Sequence, residues 1–268
     1  MLPLKDDIPT RRFPIVTVAI IVINFVVFFG LQGATISGDG AHVKDSTTVD
    51  YAAIPYELTH PGKHCVATQT ISTQTGIACG SDAALRSAHA DPSGQPNTWL
   101  TLLFAMFMHG GLLHIGGNML FLWIFGNNIE DAMNRFAFVG FYLVGGVVAT
   151  FAQVALDTGS TTPTLGASGA IAAVLGAYAV LYPRARVVTL VFIIFFVTLL
   201  RLPALIVLGG WFLLQLLDFS QVGQIGDGGG GVAYLAHIGG FLFGMATIKL
   251  IATNVHSGYD RPQRLPVY

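Results

Sequence analysis

The chain has 268 residues, of which 53% are hydrophobic and only 10% charged, and its mean hydropathy is +0.66. Soluble domains carry about 25% charged residues, so this composition argues against a water-soluble globule and for a protein that crosses a membrane several times. Thirteen basic and fourteen acidic side chains nearly cancel, and no basic stripe interleaved with aromatics appears, which argues against a nucleic-acid partner.

Crossing the hydrocarbon core takes about 20 apolar residues, fewer where a helix is short or shielded. After a short segment, 1–14, the first apolar run is Ile15–Leu31. It is long for a signal-peptide core and no small-residue cleavage site follows it, so an uncleaved signal-anchor helix is expected. A polar loop then runs over 32–97 and holds both cysteines, Cys65 and Cys79. They are two free thiols or, if the loop is extracytoplasmic, a disulfide stabilising it by about 3 kcal/mol. The nearby His60, His64 and His89 match no tight zinc spacing, so no metal and no cofactor is expected.

The second span is His114–Gly126, extended upstream by Trp99–Met108, and the third is Phe136–Leu156. The fourth is Ser168–Tyr182. The run Val187–Leu217 is awkward: its 31 residues contain a single charge, Arg201, and as one helix it would measure about 46 Å. Arg201-Leu202-Pro203 reads as a boundary, since proline starts helices well and interrupts them badly. Val188–Leu200 is therefore expected to be a membrane-surface or re-entrant segment, and Pro203–Leu217 the fifth crossing. Val232–Ile251 is the sixth, and 253–268 is a tail. The expected fold is an all-α, six-transmembrane-helix bundle over 15–252.

Charge orients it. With the N-terminus in the cytoplasm, ten of the thirteen Lys and Arg face the cytoplasm, leaving outside only Lys44, Lys63 and Arg86. Both termini are then cytoplasmic, and Ser168 and His237 enter the membrane from the outer side. Small residues at four-residue spacing, Ala172/Gly176 and Gly240/Gly244, would let the fourth and sixth helices pack closely.

A polar side chain in hydrocarbon is costly unless paired, and so marks a functional site. Ser168 in GASGA, with Gly166 and Gly169 on either side, has an unobstructed hydroxyl but needs a base to become a nucleophile. His237 in AHIGGFLFG can supply it. In His109-GGLL-His114-IGG-Asn118, His114 and Asn118 are four residues apart on one helix face, as two oxyanion donors would be.

Together the motifs H-GGLL-H-IGG-N, GASGA and AHIGGFLFG resemble, in order and spacing, the rhomboid intramembrane serine proteases. FGNNIED and PRAR look like bacterial members, and the resemblance covers roughly 1–255. It implies a Ser168–His237 dyad without an acidic third member. It also implies an oxyanion hole of His114, Asn118 and the Ser168 backbone N–H, with His109, Gly166, Gly169, Gly240 and Gly244 in support. The implied substrates are transmembrane or juxtamembrane segments of other proteins in the lipid bilayer, and the implied location is a bacterial inner membrane. Two positions depart from the family pattern: Leu100 follows Trp99 where arginine is frequent, and Ala172 stands where some members carry tyrosine.

A catalytically silent rhomboid-like binding protein is the alternative, although such members typically lose the serine or histidine. A transporter or channel would need interior carboxylates, which are nearly absent. Finally, 218–232, with four consecutive glycines at Gly228–Gly231, is expected to form a movable gate over the site.

Overall fold

Helices dominate the computed structural model, which describes residues 2–37, 40–69, 75–88, 90, 92–193, 196–225 and 233–255. Strand β1 (Leu2–Asp6) precedes α1 (Ile15–Val26), which ends in a π-helical turn, Val27–Leu31. A small subdomain follows: β2 (Thr35–Ser37), β3 (Gly40–His42), α2 (Asp45–Tyr51), α3 (Pro55–Thr59), β4 (His64–Gln69), β5 (Thr75–Gly80) and α4 (Asp82–Ser87). Next come α5 (Thr98–Phe104), α6 (Leu112–Phe121), α7 (Asn127–Ala132), α8 (Arg135–Val154) and α9 (Ser168–Leu181). The chain then forms β6 (Arg186–Ile193), β7 (Phe196–Pro203), α10 (Ala204–Ile225) and α11 (Tyr234–Ile251).

The expectation of an all-α protein therefore needs correction. Among the described residues there are three small antiparallel sheets, in the orders β1-β6-β7, β2-β3 and β4-β5. The described residues of Val188–Leu200 lie in the paired strands β6 and β7, because their valines, threonines and phenylalanines favour extended backbone over helix. The described residues of 32–97, expected as a polar loop, carry short strands and helices. Cys65 and Cys79 face each other across β4 and β5, 4.0 Å apart at Cα, and are joined by a disulfide.

Among the described residues two helices, α8 and α11, are long and apolar enough to cross a membrane, and the pair Thr98–Phe107 and Leu112–Ala132 passes the same test jointly. That pair is bent by 80°, so Trp99–Met108 does not continue α6 in a straight line as expected. The break falls at His109-Gly110-Gly111, where two glycines weaken the helix. Ile15–Leu31, Ser168–Leu181 and Ala204–Phe219 are apolar but shorter. Because α10 continues to Ile225, the first part of the expected gate is helical; Gly228–Gly231 lie outside the described residues.

The core is organised around α9, in which every residue from Gly169 to Ala179 is buried. It packs most closely on α11. A methyl group on Gly240 or Gly244 would fall on the carbonyl oxygen of Gly169 or Ala173, and one on Gly176 would fall on that of Phe241. Side-chain bulk is excluded from this seam, so the two backbones touch. On its other side α9 meets α8, where a Cβ on Gly145 would lie 2.7 Å from that of Ala173.

Carboxylates tie down the opposite end of the bundle. Glu130 accepts hydrogen bonds from the Val16 and Thr17 backbone N–H groups, at 3.0 and 2.8 Å, and from the Thr17 hydroxyl at 2.8 Å. This satisfies the first turn of α1, which has no side-chain cap of its own. Asp6 accepts from Asn128 and from Tyr178 of α9, both at 2.6 Å. Desolvation raises the Asp6 carboxyl to about 6.

In the subdomain Glu57 is buried, and it accepts a hydrogen bond from the Cys65 backbone N–H. Desolvation is the main cause that pushes its carboxyl up from 4.5 to about 7. The folded state thus holds a proton that the unfolded chain releases near pH 4.5. The resulting stability is full below that pH and is lost as pH rises through about 7. Glu57→Gln, a mimic of the neutral acid, is expected to flatten the decline in thermal stability between pH 5 and 8, by roughly 2 kcal/mol at the alkaline end.

Candidate active site

The approach to Ser168 is set by the segment between α8 and α9. The Ala53 and Thr164 backbones exchange hydrogen bonds at 3.0 and 2.9 Å, and Tyr56 N–H donates to the Ser160 carbonyl at 2.9 Å, so the subdomain holds this segment. Next to α5, Gly166 N–H donates to the Ala105 carbonyl at 2.8 Å. Gly166 has φ +120°, a conformation that L side chains rarely adopt, and a Cβ there would lie 2.8 Å from His114 Nε2. Glycine is required here on both counts.

Ser168 is the first residue of α9, and the preceding Ala167 already has helical dihedrals. Its hydroxyl does not cap the helix. It lies instead 2.7 Å from His237 Nε2. His237 stands in the first turn of α11, so the Gly169–Gly240 contact brings both side chains to the same level. The other ring nitrogen, Nδ1, is 2.6 Å from Gln215 Oε1 on α10, and the Trp211 ring centroid lies 5.7 Å from the imidazole.

His114 and Asn118 project from α6 into the same cavity, of about 350 Å³, whose walls include Phe121, Ile171, Leu175 and Trp211. His114 Nδ1 accepts from Gly110 N–H at 3.3 Å, which puts the ring hydrogen on Nε2, the nitrogen on the Gly166 side of the ring. Asn118 is buried and its Nδ2 donor has no protein partner. Such a donor, on a residue that lines the same cavity as Ser168, is available to an incoming oxygen. His109 is fully buried, with its ring edge-on to His114 at 5.1 Å.

Two residues of this arrangement escape a sequence reading. Gln32 brackets the His109 backbone, accepting from its N–H at 2.8 Å and donating to its carbonyl at 2.9 Å. Gln215 holds His237. Each is a lone amide at the edge of or within an apolar run, which is the only signal the sequence offers.

A rhomboid domain model matches residues 96–254. The chain belongs to the rhomboid family. This rhomboid is a membrane protein, and all the residues that meet in the cavity lie inside the matched region. It is 34% identical over 146 residues to the presenilin-associated rhomboid-like protein, mitochondrial, of Bos taurus, a match covering 54% of this chain and 36% of the relative. Rhomboid protein 1, mitochondrial, of Saccharomyces cerevisiae is 30% identical over 97 residues, 35% of this chain and 28% of the relative. Rhomboid protease GluP of Bacillus subtilis is 35% identical over 79 residues, 30% and 15% respectively. The chain thus spans about a third of the length of the curated mitochondrial relative.

Gly166→Ala is expected to place a methyl group against the His114 ring and to strain the backbone, at a cost of about 1–3 kcal/mol. The check is a lowered thermal midpoint, whereas Gly94→Ala, in open space, leaves the midpoint unchanged.

Proposed function

We propose that this rhomboid is an intramembrane serine endopeptidase that cleaves transmembrane or juxtamembrane segments of other membrane proteins. The observation that carries the reading is the 2.7 Å contact between Ser168 Oγ and His237 Nε2, at the foot of a cavity that also holds unpartnered Asn118 Nδ2. The similarity to rhomboid protease GluP of Bacillus subtilis adds to it.

In this reading Ser168 Oγ attacks the substrate carbonyl carbon while His237 Nε2 takes the hydroxyl proton. The carbonyl oxygen, now negative, is met by the His114 Nε2–H, Asn118 Nδ2–H and the Ser168 backbone N–H, at the positive end of the α9 dipole. His237 then gives its proton to the departing amine, and the ester left on Ser168 is released by a water that His237 deprotonates in turn. The apolar cavity walls suit a segment drawn from a bilayer.

Six crossings are proposed over 15–252, with α9 and other short helices shielded inside the bundle. The subdomain within 32–97 is placed outside the cytoplasm, and the segments 1–14 and 253–268 inside it. The arginine asymmetry and the disulfide support this orientation, and the bacterial-type FGNNIED and PRAR runs favour a bacterial inner membrane. The silent binding-protein alternative is disfavoured because serine and histidine are both present and in contact.

The test is labelling by a fluorophosphonate, together with cleavage of a reporter containing a transmembrane segment. Ser168→Ala, His237→Ala and the double variant are each expected at background, since the pair acts as one unit. Asn118→Ala is expected to keep weak activity, about 10²–10³ below wild type. Substantial cleavage by folded Ser168→Ala would reject the assignment.

A further inference from the structure

Gln215 sits among leucines in LLQLL of α10 and is 9% exposed. An amide in such surroundings is costly unless its polar atoms are engaged. Its Oε1 lies 2.6 Å from His237 Nδ1, on the side of the ring away from Ser168. An amide oxygen only accepts, so Nδ1 carries the ring hydrogen and Nε2 turns its lone pair to the Ser168 hydroxyl, 2.7 Å away. Trp211, one turn earlier on the same face of α10, leans on the ring with its centroid at 5.7 Å. α9 cannot give this support at position 172. Ala172 is fully buried where α9 meets Gly240 of α11, and its methyl group offers no hydrogen-bond acceptor.

We propose that Gln215 is the positioning residue of the site, holding His237 in the tautomer and orientation needed to take the Ser168 proton, in place of a carboxylate. The proposal rests on the protease reading. It assigns α10 a part in the chemistry that a two-residue dyad does not contain. A neutral acceptor suits this depth, since a carboxylate would bring an ion into hydrocarbon while an amide fixes the tautomer without one.

The full chain in liposomes separates this from a packing role. Gln215→Leu keeps the volume and removes the acceptor. Gln215→Asn keeps the amide but is one methylene too short, and gives a second measurement should the leucine variant fold poorly. Gln215→Glu restores an acceptor. Expected for leucine and asparagine is a fall in kcat of about tenfold or more, as for the loss of one hydrogen bond in the transition state. KM should stay unchanged, the fluorophosphonate labelling rate should fall in parallel, and glutamate should recover turnover well above leucine. Wild-type kcat in folded Gln215→Leu, an effect confined to KM, or equal losses in all three variants would overturn the role while Ser168-dependent labelling of the wild type still stands. Absence of that labelling would overturn the protease reading itself.

Discussion

The seam between α9 and α11 is the constraint on which the rest of the structure depends. Inside a bilayer no hydrophobic force draws two apolar helices together, because lipid tails are as apolar as leucine; close backbone packing takes over. Gly240 and Gly244 lie under the carbonyls of Gly169 and Ala173, and Gly176 lies under that of Phe241. With three glycines interlocked in this way, neither helix can slide or rotate without driving a carbonyl into a Cα. Ser168 and His237 stand at one end of that seam, so their 2.7 Å separation is fixed by backbone contacts further along.

The seam would be of little use if the nucleophile wandered above it. α9 has only 14 residues, about 21 Å at 1.5 Å per residue, and it begins below a segment clasped from two sides. Ala105 holds Gly166, and the disulfide-bonded subdomain holds Ser160 and Thr164 through the backbones of Tyr56 and Ala53. At the far end Tyr178 is tied to Asp6, which also takes a hydrogen bond from Asn128. The motif FGNNIED thereby acquires a physical role: its Asn128, Glu130 and Asp131 fasten the first segment of the chain to the base of the bundle.

Two buried amides replace water for a polar group that cannot reach solvent: Gln32 for the His109 backbone, Gln215 for His237. Asn118, which shares a cavity with Ser168, instead leaves its own Nδ2 donor unpartnered. An unsatisfied buried donor costs about 1–3 kcal/mol, and Asn118 lines the cavity into which a substrate carbonyl would come.

Much of this was legible from the sequence. Hydropathy located the apolar helices to within a few residues, because burial in lipid demands long apolar runs whatever the neighbours are. The residues that meet in the cavity stood out because serine, histidine and asparagine are rare in such runs, and i, i+4 spacing put His114 and Asn118 on one face. The glycine pairs marked the close helix contact. Other features depended on contacts between segments distant in sequence. Within Val188–Leu200, expected as a membrane-surface or re-entrant segment, the described residues are extended because β6 finds backbone partners in β1 and β7 on either side. The 80° bend before α6 and the folding of 32–97 against the Ser168 segment likewise arise from tertiary contacts. Gln215, 47 positions from Ser168, showed only as one polar letter among leucines. What the sequence determined is which groups cannot face lipid unpartnered; only the packing of α9, α10 and α11 decided which partner each one found, since hydrogen bonds are made at 2.6–2.8 Å and sequence spacing carries no information about distances between helices.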